Sequence, residues 1–133
     1  MGLSAYCEAL AVGKRVVVLG DSSTGLCGRM AEASGRRVHG YDPDPDRTAA
    51  SLAASSRSGS APVSFAVLEP ELDIREGAFD VAIVPDLSEF DDAEEIVALA
   101  RSLVGSRGVA VLAIPNHEAA RSDISVGGVS ISY

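Results

Sequence analysis

The sequence predicts an α/β domain built on a doubly wound, mostly parallel sheet. Three observations carry this. Five short β-branched segments, "RVVVLG", "RRVHGYD", "VSFAVLE", "FDVAIVPD" and "GVAVLAIPN", are apolar on both faces, as strands covered by helices on two sides must be. Helical patterns lie between most of them, the alternation of a doubly wound sheet. Glycine and proline stand where those helices should start and stop.

Each element follows in order. Gly2 to Val12 reads as a helix laid on the sheet. The first strand delivers a turn and then a helix from Gly25 to Ser34, with Gly35 as its stop. "DPDPDRTAASLAASS" opens the next helix, with Pro45 suited to the first turn and Ala49, Leu52 and Ala53 as its apolar positions. "SSRSGSAP" reads as a surface loop. Residues 70–78 are too few for a full helix between the third and fourth strands. "DDAEEIVALARSLVG" is an amphipathic helix whose apolar face is Ile96, Val97, Leu99, Ala100, Leu103 and Val104, closed by Gly105. No internal repeat is present. The 133 residues predict a single domain with its core between positions 12 and 116, a fragment or module of a longer protein.

Composition narrows the function classes. Apolar residues make up 47%, with three Tyr, three Phe and no Trp, so the core is aliphatic. No apolar run reaches the roughly 20 residues that cross a bilayer, and the N-terminus lacks the pattern of a secretion signal; a cytoplasmic protein is expected. Cys7 and Cys27 form no C-x-x-C pair, which argues against zinc and for reduced thiols; no metal is expected. The formal charge of −8 disfavours nucleic acid or anionic membrane as partner. Between Glu69 and Glu95 lie eleven acids against Arg75 alone. This acidic face is either a solvated rim with acids at a helix start or a docking surface for a basic partner. The single Lys among eleven basic residues fits a GC-rich, bacterial genome.

The stretch "VVVLGDSSTGLCG" supports two readings. "GDS" after a strand resembles the nucleophile block of the GDSL serine hydrolases, with Ser22 as nucleophile. That chemistry needs a base and a group to orient it. The family's D-x-x-H block is missing, since Ile114 stands where the Asp before His117 should be. His39 lies inside the second strand, and the G-x-N-D block is absent. As a strand–turn–helix, the same residues read instead as a nucleotide loop, whose backbone N–H groups face a ligand. Asp42 closes the second strand 22 residues after Gly20, the place of an acid that holds ribose hydroxyls. A helix cap is the structural alternative for Asp42.

Dinucleotide and S-adenosylmethionine (SAM) proteins share this first half. The second half, "EGAFDVAIVPDLSEF" followed by "EEIVALARSLVGSRGVAVLAIPN", resembles class I SAM-dependent methyltransferases. Gly77, Phe79, Asp80 and Ala82-Ile83-Val84 match their G-x-F-D-x-V; Arg101, Leu103 and Gly108 match the helix before strand five. The resemblance covers Val12 to Asn116 and implies a Rossmann-like methyltransferase fold. It implies that Gly20, Asp21, Ser22, Ser23, Thr24 and Gly25 pass along the methionine part of SAM. Asp42 would hold the ribose, flanked by Tyr41 and Pro43. Glu69, with Leu68 at the better-spaced position, would meet the adenine amino group. Pro85, Asp86 and Leu87 would border donor and acceptor.

Departures from the family are concrete. Val18 replaces the acid before the loop, and "GDSSTG" puts Ser22 and Ser23 where the middle glycine belongs, a degenerate loop. The usual last two strands are expected to be missing. The expected function is a SAM-binding methyltransferase-like domain with no assigned chemical catalyst. The alternative is an inactive relative used for protein contact or dimerisation, through an open sheet edge or the acidic face 69–95.

Overall fold

The computed structural model describes residues 3–20, 25–58, 63–69, 74–116, 121–126 and 129–132. Helix α1 (Leu3–Ala11) precedes β1 (Val16–Leu19), α2 (Leu26–Ser34), β2 (Val38–Asp42), α3 (Pro45–Ser58) and β3 (Val63–Val67). Then come β4 (Val81–Val84), a 3-10 turn (Leu87–Glu89), α4 (Ala93–Val104), β5 (Val109–Asn116), β6 (Arg121–Val126) and β7 (Val129–Ser132). The sheet order is β3-β2-β1-β4-β5-β6-β7, and the first five strands in that order are parallel. The chain moves outward one way from β1 to β3 and the other way from β4 to β5. The switch point therefore lies between β1 and β4, where open α/β sheets form a crevice at the strands' C-terminal ends.

Two apolar layers hold this sheet. On one face Val16, Val18, Val38, Val81, Ile83 and Val111 pack with α1 and α2 through Cys7, Ala11, Leu26, Cys27 and Met30. On the other, Val17, Leu19, Ala82 and Val84 pack against Ile96, Ala100, Leu103 and Val104 of α4. All four residues of β1 and of β4 are buried, which explains their unbroken apolar sequence. Helix α4 starts on Asp92, whose carboxylate accepts from the Glu95 N–H at 3.1 Å, and ends where the Gly105 N–H donates to the Arg101 carbonyl at 2.9 Å. Gly35 closes α2 in the left-handed region, φ 71°, the conformation glycine adopts without a Cβ penalty.

One expectation needs correction. Helix α3 packs on β2 and β3, but Leu52 is 45% exposed and Ala49 and Ala53 are exposed too. Among its residues whose burial is described, those it buries are Thr48 and Ser51. Thr48 satisfies its hydroxyl on the Asp44 carbonyl at 2.9 Å, so a short polar side chain can face inward. As expected, the parallel part of the sheet stops at β5; β6 and β7 add an antiparallel ribbon to that edge, with Ala113 opposite Ile124 and Ile124 opposite Ile131. The edges are therefore β3 and β7.

Arg15 fastens the start of β1 to the start of β4. Its backbone N–H donates to Asp80 Oδ2 at 2.9 Å and its guanidinium meets Oδ1 at 3.0 Å. These hydrogen bonds from the Arg15 side chain and backbone lower the Asp80 pKa to about 2. An unfolded aspartate titrates near 4. The pair's contribution is thus complete above about pH 4 and vanishes as pH falls through 2. Urea unfolding of Asp80→Asn should show a deficit relative to the parent that is constant above pH 5 and shrinks progressively below pH 4. A deficit unchanged down to pH 2 would show that the carboxylate's charge contributes nothing.

Candidate functional site

The crevice is built from the ends of β1, β2 and β4. Gly20 follows β1 with φ 90°, and its N–H donates to the Tyr41 carbonyl at 2.6 Å, so Gly20 and Asp42 converge at one rim. The segment after β2 folds on itself. Asp42 Oδ1 accepts from the Asp44 N–H at 2.8 Å, an Asx turn. Asp44 Oδ1 in turn accepts from the Asp46 and Arg47 N–H groups at 2.9 and 3.3 Å, which starts α3. This geometry aims the Arg47 side chain back at the end of β2.

Arg47 Nη2 donates to Asp42 Oδ1 at 2.8 Å and to Glu89 Oε2 at 3.0 Å. Glu89 belongs to the 3-10 turn after β4, so one guanidinium ties both sides of the switch point together. Asp42 is 0% exposed, a buried carboxylate neutralised by its partner. Burial pulls the Arg47 pKa down, but its bonds to Asp42 and Glu89 outweigh that and raise it above its ordinary value. Glu89 also covers Gly20. A Cβ added at Gly20 would overlap Glu89 Oε1 and come within 3.0 Å of the Phe90 ring. The absence of a side chain at Gly20 makes room for this chain's own carboxylate.

A cavity of about 480 Å³ opens next to this rim, lined by Pro43, Leu68 and Glu69 on one side and by Glu89 to Asp92 with Glu95, Ile96 and Leu99 on the other. The residues singled out from sequence are distributed as follows. Gly20 and Asp42 meet at the rim; Glu69 and Leu68 line the neighbouring cavity, Glu69 exposed and Leu68 half-buried. Gly25, φ 79°, precedes α2 and is exposed. Pro85 is half-buried after β4, and the Asp86 carboxylate accepts from the Ser88 N–H at 3.0 Å, capping the 3-10 turn. Asp21, Ser22, Ser23 and Thr24 lie outside the described residues. Arg47, Glu89 and Phe90 were not legible as site residues. The "DPDPDR" run carries a signal for the first, since an arginine one turn into a helix can reach an acid just before it.

The described side chains offer little for covalent chemistry. Burial, helped by the Asp42 charge, pushes the Cys27 thiol up to about 12, so it stays protonated at neutral pH. Burial also pushes Cys7 up to about 12. Among the described residues no group of His, Cys, Asp and Glu is placed to hold a metal ion. No described helix is long and apolar enough to cross a membrane.

No protein-family profile and no curated sequence matches the chain. Solved structures do match in shape. A SAM-dependent methyltransferase from Aquifex aeolicus superposes with a TM-score of 0.72 at 10% identity, covering 83% of this chain and 61% of its own. The YcgJ protein of Bacillus subtilis gives 0.74 at 15% identity, covering 84% and 49%. This chain has the Rossmann-like fold of the SAM-dependent methyltransferases. The same fold carries other chemistry: the [4+2]-cyclase SpnF matches with a TM-score of 0.72 at 18% identity, covering 84% of this chain and 42% of its own. The chain spans about two fifths to three fifths of the length of these structures.

Replacing Arg47 with Ala removes two charge-assisted hydrogen bonds and leaves Asp42 buried without that counter-charge. Such bonds contribute about 1.5–3 kcal/mol. Urea denaturation at pH 7 should show a loss of about 3 kcal/mol or more for Arg47→Ala, since two bonds go and a buried carboxylate loses its counter-charge. A loss below about 0.5 kcal/mol, the size of a neutral surface change, would mean that the bridge contributes no stability.

Proposed function

We propose that this chain is a methyltransferase-fold domain whose adenosyl crevice is given over to internal ion pairing, and that it acts by contact with another protein rather than by methyl transfer. The observation that carries this reading is the position of Glu89 on Gly20, held there by the Arg47 bridge to Asp42. A SAM ribose needs the Asp42 carboxylate, and the methionine part needs the open backbone at Gly20. The first is 0% exposed and the second is covered. The residues in this arrangement do not fit SAM. The loop substitutions Ser22 and Ser23, and Val18 buried in the core where the family has an acid, support the same conclusion.

Protein contact as the role is supported by the acidic face between Glu69 and Glu95 and by the sheet edges at β3 and β7, whose unpaired backbone groups can receive another chain. One matching solved structure, at 18% identity with a TM-score of 0.69, is a complex between the Haloferax volcanii Trm112 methyltransferase activator and a methyltransferase. The alternative, a SAM-binding enzyme, is favoured by the convergence of Gly20 and Asp42 and by the cavity beside them. In that case Asp42 would hold the ribose and Glu69 the adenine, with Arg47 displaced.

Thermal melting separates the two. With millimolar SAM or S-adenosylhomocysteine we expect no change in midpoint. Saturable binding would stabilise the domain by about 2.7 kcal/mol at a hundredfold excess over the dissociation constant, and that outcome would overturn the proposal.

A further inference from the structure

The cavity beside the crevice has a composition that selects its occupant. Its apolar floor is Leu68, Phe90, Ile96 and Leu99, contributed by the end of β3, the turn after β4 and the first half of α4. Its mouth carries Glu69, Asp91, Asp92 and Glu95, all exposed, and no Lys or Arg is among its described lining residues. Asp92 and Glu95 also serve the start of α4, but Glu69 and Asp91 come from outside that helix. At about 480 Å³ the space falls within the roughly 300–1,000 Å³ of concave binding sites. A recess with low-dielectric walls and a mouth of one sign focuses its field and attracts the opposite charge.

We propose that this groove docks a basic segment of a partner protein, with an aliphatic or aromatic side chain on the floor and flanking Lys or Arg residues on the rim carboxylates. This deepens the protein-contact reading and rests on it. Apolar anchoring supplies the attraction, while the carboxylates set orientation and reject acidic partners. A second copy of this chain is a poor occupant, because its formal charge of −8 opposes it. Nucleic acid is repelled for the same reason. The Arg47 bridge keeps Glu89 turned toward Gly20 and Asp42, leaving the other four carboxylates for the partner.

The probe is a short fluorescein-labelled peptide of alternating leucine and arginine, followed by fluorescence anisotropy on the full chain. Saturable binding is expected, weakened about tenfold, or 1.4 kcal/mol, by the double substitution Glu69→Lys and Asp91→Lys. A similar loss is expected when the peptide's leucines are replaced by serine, which alters nothing in the protein. Glu8→Lys with Glu32→Lys makes the same charge change on α1 and α2 and should leave binding within about twofold. No binding, or equal effects of the two charge swaps, or indifference to the leucines, overturns the groove while leaving the closed crevice intact. If SAM raises the melting midpoint and displaces the peptide, the closed-crevice reading and the groove both fall.

Discussion

One guanidinium holds the rim of this sheet together. Arg47 reaches Asp42 at the end of β2 and Glu89 beyond the end of β4, and so spans the switch point that the strand order creates. The consequence is geometric as much as electrostatic. Glu89, drawn in by Arg47, lies over Gly20, and Phe90 follows it, so the open backbone at the end of β1 is covered. An acid and a ring from the same chain lie against it. Asp42 is fully buried with Arg47 and the Asp44 N–H on its carboxylate, and losing the guanidinium there would be costly.

The local interactions that aim Arg47 are short-range and consistent with one another. An Asx turn at Asp42, a cap at Asp44 and the start of α3 all lie within "DPDPDR". Agreement among such levels is what lets a sequence specify one arrangement. Further from the rim, the Arg15–Asp80 pair and the two apolar layers keep β1 and β4 in register. The bridged rim therefore sits on a firm frame.

Much of the fold was legible because its signals are local. Buried strands read as unbroken Val, Ile and Ala, and α4 shows its apolar stripe and its Gly105 stop. Gly20 and Asp42 were legible because strand ends and turn residues have fixed places in this topology. The bridge was not: Arg47 and Glu89 are 42 residues apart, and only the folded sheet shows that they meet. The inner face of α3 was misassigned because Thr48 satisfies its own hydroxyl on the preceding turn and is buried, while Leu52 faces outward. The ribbon of β6 and β7 has a readable pattern, alternating residues on both sides of Gly127-Gly128, but it lies beyond the reach of the family resemblance.

Shared architecture does not settle chemistry; on the proposed reading the frame of a methyltransferase fold is kept while an ion pair takes the place of a ligand. The most direct measurement is an NMR titration with S-adenosylhomocysteine, following the backbone N–H signals of Gly20 and Asp44 and the Arg47 side-chain N–H. If the rim is sealed by its own charges, none of the three moves at millimolar ligand. Saturating shifts at Gly20 and Asp44, with loss of the Arg47 signal, would mean that adenosyl binding displaces the guanidinium and that the crevice is a working site.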